Sequence, residues 1–406
     1  MKKMVARNIL FWAAIPAMVC VAYWPVRLAW ADSLCRASDV QTVARSVRLS
    51  PGDADLRLKL AAVQQAAGTD PSAALKAAAA LDPGNANTWI RLGLQAEIRG
   101  DPRTAESLLL QAARVSRQFA PRWALANYYF RHGDSANFWP WARASLSIGY
   151  ADLNPVFRLC WNMSQDGGLI LERAIPQRRA VLNAYLQFLT AEGRLAASEP
   201  AAARLAALAT AEDQPALAVW CNRQLDAGAA SAALGVWNTL CARHLLPYTP
   251  VDRERAPLTD GGFAAGFDGG GFAWMMPSTP GVTMGRNPSP RYLWATFGGD
   301  QPENGAPLWQ FVPLAPGVGY RLRYEYRTSQ IPAASGVRWT VFDARTGSDL
   351  LAASPWLSSP DWTSAELRFR APESGLVRLT LTCTRLAGAM RIEGSVNLRN
   401  VSLERL

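Results

Sequence analysis

The stretch LDPGNANTWIRLGLQAEIRGDPRTAESLLLQAARV, residues 81–115, decides how the first half of the chain folds. Its opening LDPGNAN repeats the pattern of LSPGDAD at 49–55, thirty-two residues earlier. Gly100-Asp101 divides the stretch into two segments and suits a turn between helices. Ala105 and Ala112 are small enough for the second helix to approach the first closely. The stretch therefore predicts a helical hairpin.

The same spacing recurs on both sides of this hairpin. In PRWALANYYFRHGD, residues 121–134, Gly133-Asp134 lies 33 residues after Gly100-Asp101. Pro51 and Pro83 each close an earlier unit. The unit between them has small residues in comparable places, at Ala62, Gly68 and Ala78. The chain is therefore predicted to contain a helical repeat.

The hairpin from about residue 86 to 120 resembles the tetratricopeptide repeat (TPR), which has a period of about 34 residues. The residues that carry this resemblance are Trp89, Leu92, Gly93, Ala105 and Ala112. Two positions depart from the family pattern, because Ala96 stands where Tyr is usual and the closing proline comes late, at Pro121. The neighbouring units match less well. The resemblance implies an array that binds peptides or proteins in a concave groove.

Helical patterning continues to about residue 245. Apolar residues recur at spacings of three and four in segments that cover 177–194, 199–213, 216–228 and 229–243. Such spacing indicates amphipathic helices. Together with the repeat, it predicts an α-solenoid over residues 33–245. Most tryptophans of this region are expected to pack between helices.

The pattern changes to a period of two beyond residue 260. In YRLRYEYR, residues 320–327, tyrosine and leucine alternate with charged residues, and VRWTVFD, AELRFRA and LVRLTLTCT alternate likewise. This pattern is typical of half-buried antiparallel strands. Residues 246–259 hold three prolines and a charge cluster, which predicts a linker. We therefore expect an antiparallel β-sandwich over residues 260–406.

The order of landmarks in residues 258–406 resembles the jelly-roll carbohydrate-binding modules that accompany cellulases and xylanases. The landmarks are LTDGGF, LWQFVPLAPGVGYRLRYEYR, VRWTVFD, DWTSAELRFRAP and VNLRNVSLERL. The resemblance implies a jelly roll, but it is a weak guide to sugar binding because relatives of this sandwich have many functions. The whole architecture also resembles envelope proteins of soil bacteria, some of them encoded near exopolysaccharide export genes.

A glycan-binding sandwich would stack aromatic rings on sugars and bond their hydroxyls with polar side chains. Five aromatic residues lie in loops or weakly patterned segments and are the candidates for stacking: Trp274, Tyr292, Trp294, Trp356 and Trp362. The alternative for each of them is packing alone. Trp309 and Trp339 alternate within strands and are expected in the core.

Arginines dominate the polar faces of the predicted strands. They are Arg321, Arg323, Arg338, Arg368, Arg370 and Arg378. Only Glu325 and Glu366 are expected to oppose them. Because guanidinium groups pair well with carboxylates, one hypothesis is that the sandwich binds an acidic polysaccharide. The alternative is an ordinary solvated face.

The first thirty residues predict export. The basic segment MKKMVARN precedes an uncharged apolar run from Ile9 to Val26, as in a signal peptide or signal anchor. We expect residues 1–31 to remain as a membrane helix, with one pass through the bacterial inner membrane and most of the chain in the periplasm. Cleavage after Ala31 is the alternative, and it would release the chain as a periplasmic or secreted protein.

Several classes of function are disfavoured. The 38 Arg and 4 Lys form no basic block and no nucleic-acid motif, so we expect no nucleic-acid partner. The six cysteines have no metal-ligand spacing, and Cys221 and Cys241 are either a pair or buried thiols. His132 and His244 lie at turns or helix ends. No catalytic motif is present, so we expect no enzyme activity, metal or cofactor.

These observations predict an α-then-β chain with a membrane helix, a TPR-like solenoid and a sandwich. The function they favour is a non-catalytic scaffold that binds an envelope protein through the solenoid, in exopolysaccharide or envelope biogenesis. Glycan binding by the sandwich is the first alternative. A polysaccharide-modifying enzyme that uses paired carboxylates is the second.

Overall fold

The computed structural model describes residues 23–148, 152–255, 257–266, 270–331, 336–385, 388 and 390–406. Contacts between residues divide the chain into two compact units, Met1–Pro176 and Gln177–Leu406. The change from helices to strands therefore lies inside the second unit.

The first unit is built from helices. Residues 23–35 are helical. The helices that follow are α1 Val40–Leu49, α2 Ala54–Ala66, α3 Ser72–Leu81, α4 Ala86–Ile98, α5 Pro102–Val115, α6 Phe119–Arg131, α7 Ser135–Leu146, α8 Asn154–Met163 and α9 Gly167–Arg173. Helices α2 and α3, α4 and α5, and α6 and α7 pack as hairpins. The predicted helical repeat is confirmed here.

A glycine and an aspartate build the hairpin turns. Gly100 and Gly133 follow α4 and α6 with φ of 78° and 67°, a left-handed conformation that residues with a side chain avoid. Asp101 and Asp134 each accept a hydrogen bond of 3.1 Å from the backbone N–H three residues later, which caps α5 and α7. The turn predicted at Gly100-Asp101 is therefore confirmed.

The TPR-like residues lie where α4 and α5 meet. Ala105 and Ala112 have no exposed surface, and Leu92 is buried beside them. A Cβ atom at Gly93 would lie 2.8 Å from Cγ of Leu109, so only glycine fits there without movement. The indole N–H of the half-buried Trp89 donates to the Pro83 carbonyl at 2.8 Å, which ties the helix to the preceding turn.

The second unit begins with helices α10 Arg179–Ala191, α11 Leu195–Leu208, α12 Gln214–Asp226 and α13 Ala230–Ala242. Its strands are β1 Val282–Pro288, β2 Arg291–Gly298, β3 Asn304–Pro313, β4 Gly319–Ser329, β5 Val337–Asp343, β6 Leu350–Ala353, β7 Thr363–Arg370, β8 Leu376–Thr384 and β9 Glu393–Arg405. They form a five-stranded sheet ordered β1-β2-β9-β4-β7 and a four-stranded sheet ordered β3-β8-β5-β6. All strand pairs are antiparallel, which confirms the predicted sandwich.

The sandwich core follows the predicted alternation. Tyr320, Leu322 and Tyr324 of β4 are buried, and Trp339 of β5 has no exposed surface. Trp309 departs from the expectation, because it is only partly buried.

The segment predicted as a linker, residues 246–259, is packed in its described part. Asn238 of α13 donates to the Val251 carbonyl at 2.9 Å and accepts from the Val251 N–H at 2.7 Å. The Tyr248 ring stacks on Trp237 with 5.5 Å between centroids. These contacts hold the segment against the last helix.

Among the described residues, no helix combines the length and apolar content that crossing a bilayer requires. The membrane helix predicted over 1–31 lies mostly outside the described residues, which begin at 23. The described cysteines are free thiols, and burial raises the pKa of the Cys221 thiol to about 12 and that of Cys241 to about 11.

Candidate functional site

The outward side of the five-stranded sheet gathers most of the predicted ligand-binding residues. Alternation along β4 buries Tyr320 and Leu322 and turns Arg321 and Arg323 outward. The antiparallel register aligns such side chains in rows across the strands. One row contains Trp294, Asn397 and Arg327, and the next contains Arg399, Glu325 and Ser364. We call this surface, formed by the outward residues of β2, β9, β4 and β7, the outer face.

A polar groove runs along the outer face. Its volume is about 390 Å³, and its lining offers carboxylate, guanidinium, hydroxyl and amide groups. The polar lining residues are Arg323, Glu325, Ser364, Glu366, Asn400 and Ser402. Groups of these kinds can both donate to and accept from the hydroxyls of a sugar.

The indole ring of Trp294 on β2 lies over Gly285 on the neighbouring strand β1. The two residues are partners in the β1–β2 register. A Cβ atom at Gly285 would lie 2.6 Å from Cζ2 and 2.8 Å from Cε2 of the indole, so the ring occupies the space above the glycine. Among the described residues, no ring or guanidinium stacks on Trp294. The half-buried ring is therefore free to stack on a ligand.

Tyr292 and Trp362 form an aromatic cluster with two arginines. Their ring centroids lie 6.0 Å apart in an edge-to-face arrangement. The guanidinium carbon of Arg399 lies 4.1 Å from the Trp362 centroid, and that of Arg327 lies 5.1 Å away. Cation–π attraction already engages the Trp362 ring. We therefore assign Trp362 to the wall of the site and not to stacking.

Glutamates pair with most arginines of the outer face. Glu366 lies 2.7 Å from Arg368 and 3.7 Å from Arg321. Glu404 lies 3.3 Å from Arg323. The sequence predicted only two opposing glutamates, and the pairing of β4 with β9 adds Glu404 as a third.

The outer face nevertheless keeps an excess of positive charge. Three glutamates lie around the groove: Glu325, Glu366 and Glu404. They face six arginines: Arg321, Arg323, Arg327, Arg368, Arg370 and Arg399. A further glutamate, Glu393, lies apart from them at the start of β9. Arg327 has contacts with aromatic rings and no carboxylate partner among the described residues.

Glu325 is the most constrained acid of the groove. It accepts from the Asn400 amide at 2.9 Å and from the Arg399 guanidinium at 2.8 Å. The Asn400 hydrogen bond, followed by the Arg399 hydrogen bond and charge, lowers the pKa of Glu325 below its usual value of 4.5. The carboxylate is therefore held ionised as a hydrogen-bond acceptor.

A β-bulge in β9 places Arg399 and Asn400 together. The register with β4 shifts between Arg323 and Glu325, and Asn400 has a φ of 52°. Sequence reasoning missed both residues of this pair, as well as Arg327 and Gly285. The signal was present, because the consecutive polar residues in VNLRNVSL break the alternation of the strand.

The structure separates four predicted residues from the outer face, Trp274, Trp356, Arg338 and Arg378, the last of which lies on β8 of the four-stranded sheet. Trp274 is buried in the core at 2% exposure, where its N–H donates to the Asp260 carbonyl at 3.0 Å, so it cannot stack on a ligand. Arg338 belongs to β5 of the other sheet. The guanidinium carbon of Arg338 lies 4.2 Å from the ring centroid of Trp356. The two side chains therefore contact each other, away from the outer face.

A second groove lies between α10 and α12. Its volume is about 400 Å³. Its lining is mainly apolar, and Gln187 and Arg223 add polar groups to it. Val219 projects into this region with 53% of its surface exposed. The groove has the mixed apolar and polar character that suits a peptide.

The potential metal ligands are dispersed, and the two histidines lie next to the ends of helices, in the part of the chain that the structure describes. No group of three or more His, Cys, Asp or Glu side chains within that part could hold a metal ion. Nδ1 of His132 lies 2.8 Å from the Tyr128 carbonyl, and His244 follows α13 with a φ of 55°. Both histidines have structural positions.

No protein-family model matches the chain, and no curated protein matches it. Among solved structures, the chain is similar to YrrB, described as a TPR protein with an unusual peptide-binding site, at 13% identity over 52% of this chain and 94% of that one, with a TM-score of 0.25. It is also similar to PilW, a type IV pilus biogenesis factor, at 12% identity over 55% of this chain and 94% of that one, with a TM-score of 0.28.

A third similar structure is the carbohydrate-binding module TmCBM61, solved with β-1,4-galactotriose. It is 18% identical over 38% of this chain and 100% of that one, with a TM-score of 0.28. The structural neighbours of the chain thus include both TPR proteins and carbohydrate-binding modules. Because these TM-scores are low, the fold described above rests on the helices and strands of this chain alone.

Proposed function

We propose that this chain is a non-catalytic adaptor of the bacterial envelope that binds a carbohydrate on the outer face of its sandwich. The observation that carries the proposal is Trp294, whose ring lies above Gly285 with no stacking partner among the described residues, on the same sheet surface as a polar groove. An aromatic plane beside mixed donors and acceptors is what a sugar chain requires. Three strand spacings separate β2 from β7, which gives the face a width of roughly 14 Å.

The charge of the outer face favours an acidic polysaccharide. Six arginines exceed the three glutamates around the groove, and guanidinium groups bind carboxylates in preference to neutral groups. The glutamates offset part of this charge, so we expect a preference for acidic polymers and not an absolute requirement. Added salt should weaken that preference, because these charges are exposed to solvent.

The groove also supports binding over hydrolysis. A glycosidase needs one carboxyl group with a raised pKa as the general acid. Glu325 has a lowered pKa, and Glu366 forms a salt bridge of 2.7 Å with Arg368. The environment of Glu325 holds negative charge in place, which suits recognition.

The helices supply the other half of the proposed adaptor. The groove between α10 and α12, with the exposed Val219, is our candidate site for a peptide of an envelope protein.

We further propose that the apolar run from Ile9 to Val26 anchors the chain in the inner membrane, with the rest of the chain in the periplasm. In this arrangement one protein would link a membrane-proximal partner to an exported polysaccharide.

The test is affinity electrophoresis of the detergent-solubilised full chain in gels that contain neutral or uronate polysaccharides. We expect retardation, stronger with the uronate polymers. Trp294→Ala should lose up to about tenfold in affinity, since a stacked ring contributes about 0.5–1.5 kcal/mol. Gly285→Val should weaken binding as well, because its side chain would displace the indole.

Two matched variants control this test. Gly262→Ala adds a methyl group where no atom lies within 4 Å and should leave retardation unchanged. Trp356→Ala removes an aromatic ring that lies away from the outer face, against Arg338 of the other sheet. Equal losses for Trp356→Ala and Trp294→Ala, or no retardation by any polymer, would remove the outer face as a carbohydrate site.

A further inference from the structure

The helix described at residues 23–35 has an unusual apolar surface on residues 23–30. These turns expose large apolar side chains over more than half of the helix circumference. The residues and their exposed fractions are Tyr23 58%, Trp24 58%, Val26 66%, Leu28 47% and Trp30 60%. Elsewhere in the described part of the first unit, the exposed large apolar residues are fewer, namely Leu81, Leu94 and Ile98, as is normal for a surface in contact with water. The segment 23–30 is therefore a candidate interaction surface.

The same helix also packs against α1 and α2. Ala31 is 2% exposed and packs in one cluster with Val47 and Leu56. Nε of Arg27 donates to the Leu49 carbonyl at 2.5 Å. The exposed turns are thus part of a helix that packs against the folded unit.

The composition of the exposed turns points to lipid. Two tryptophans and a tyrosine are the residues that favour the boundary between water and hydrocarbon, because each ring is apolar and carries one polar group. Arg27 lies among them, with its guanidinium carbon 5.3 Å from the Trp24 ring and 6.0 Å from the Tyr23 ring. Arg27 therefore places a positive charge beside these rings, although its Nε is hydrogen-bonded to the Leu49 carbonyl.

The sequence before these turns gives a second reason. The uncharged apolar run from Ile9 runs directly into Tyr23 and ends at Val26. Trp24 and Trp30 are six residues apart, which places them about 9 Å apart along a helix axis. That length matches the headgroup layer on one side of a bilayer.

We propose that residues 23–30 lie at the lipid–water boundary of a phospholipid bilayer, with Trp24 at the edge of the hydrocarbon and Trp30 among the headgroups. This inference rests on the membrane anchor proposed above and adds a surface that the anchor alone does not require. Since the same helix is docked on the first unit, the helical array begins at the membrane surface without a flexible tether.

The experiment uses the full chain in vesicles of phosphatidylethanolamine and phosphatidylglycerol. Lipids brominated near the headgroup or deep in the acyl chains quench tryptophan fluorescence at those depths. We expect Trp24→Phe with Trp30→Phe to remove at least half of the quenching by the shallow bromines. Trp12→Phe should remove mainly the quenching by the deep bromines. A control pair, Trp89→Phe with Trp123→Phe, should leave both signals unchanged.

The outcomes separate the two proposals. If only Trp12→Phe reduces quenching, the anchor stands and the headgroup contact is wrong. If no variant reduces quenching and carbonate extracts the chain from the vesicles, the anchor fails as well. A third outcome would overturn the inference. The double variant Trp24→Phe with Trp30→Phe would leave the shallow quenching unchanged but would prevent dimer formation in detergent. That result would assign the surface to a second copy of the chain.

Discussion

Asn400 shows how one backbone position shapes the candidate site. Its φ of 52° belongs to the left-handed region, which asparagine tolerates better than most residues. The bulge formed there directs both Asn400 and Arg399 at Glu325, so one carboxylate receives two hydrogen bonds. A regular strand would turn one of these two side chains towards the core.

The constraint on Glu325 predicts a pH dependence. Because its pKa is lowered in the folded chain, its contribution to stability is present above the unfolded value near 4.5 and is lost as the pH falls through the folded pKa. We expect Glu325→Gln to lower the free energy of unfolding at pH 7 and to flatten its decrease below pH about 4.5. Urea unfolding between pH 7 and pH 3 measures both effects.

The matched control for this prediction is Glu373→Gln, which changes an exposed glutamate elsewhere in the second unit. It should retain the acid-dependent decrease of the parent chain. A Glu325→Gln variant whose unfolding free energy falls with pH as steeply as that of Glu373→Gln would contradict the role given to Asn400 and Arg399.

At the scale of elements, α4 and α5 approach each other closely. Gly93→Ala would place Cβ 2.8 Å from Cγ of the fully buried Leu109 and 3.2 Å from the Ala105 carbonyl oxygen. Overpacking costs about 1–3 kcal/mol, which exceeds the gain of about 1 kcal/mol that alanine brings to a helix. We therefore expect Gly93→Ala to destabilise the first unit, as measured by urea unfolding followed through helical circular dichroism.

Gly235→Ala provides the contrasting helix variant. Gly235 lies within α13, and no atom lies within 4 Å of the position that the alanine methyl group would take. Because the methyl group meets no neighbour, only the higher helix propensity of alanine should change stability. The free energy of unfolding should therefore rise by up to about 1 kcal/mol. If both substitutions stabilise the chain equally, close packing of α4 on α5 is not what selects glycine at position 93.

The helices, strands and turns could be predicted from the sequence more readily than the contacts between them. The turn at Gly100-Asp101 and the alternation of YRLRYEYR depend on neighbours along the chain, so both were predicted correctly. Strand β9 instead pairs with β2 and β4, and this long-range register brings Glu404, Arg399 and Asn400 to the site. Local patterns contain no information on such pairing.

Individual aromatic residues were the least predictable part of the site. Trp274 and Trp294 both stand in weakly patterned sequence, yet one is buried and the other lies outside. Trp274 is buried because its ring packs 5.9 Å from Trp339 and its N–H finds the Asp260 carbonyl. Trp294 lies outside because Gly285 on the adjacent strand leaves room for its ring. Both causes depend on residues that are distant or paired only in the folded sheet.

For the whole molecule, the position of the unit boundary matters most. Helices α12 and α13 belong to the same unit as the sandwich. The Trp237 ring contacts Phe272 at 5.8 Å, and Asn222 accepts from the Gly271 N–H at 2.5 Å. The hydroxyl of Tyr320, a core residue of β4, donates to the Arg253 carbonyl at 3.0 Å. The sandwich thus shares buried contacts with the helices and with the segment before it.

These shared contacts predict how fragments behave. A fragment of residues 177–406 should unfold cooperatively, whereas residues 260–406 should unfold at lower temperature, because removal of residues 177–259 exposes the fully buried Phe272 and removes Arg253, the partner of the Tyr320 hydroxyl. Within 177–406, Asn238→Ala should reproduce part of the loss, at about 1–3 kcal/mol, since it leaves the Val251 backbone groups without their partner. Thermal unfolding by circular dichroism compares the three chains. Equal midpoints for the two fragments would show that the sandwich is independent of α12 and α13 and that the predicted boundary near residue 260 describes the folding unit correctly.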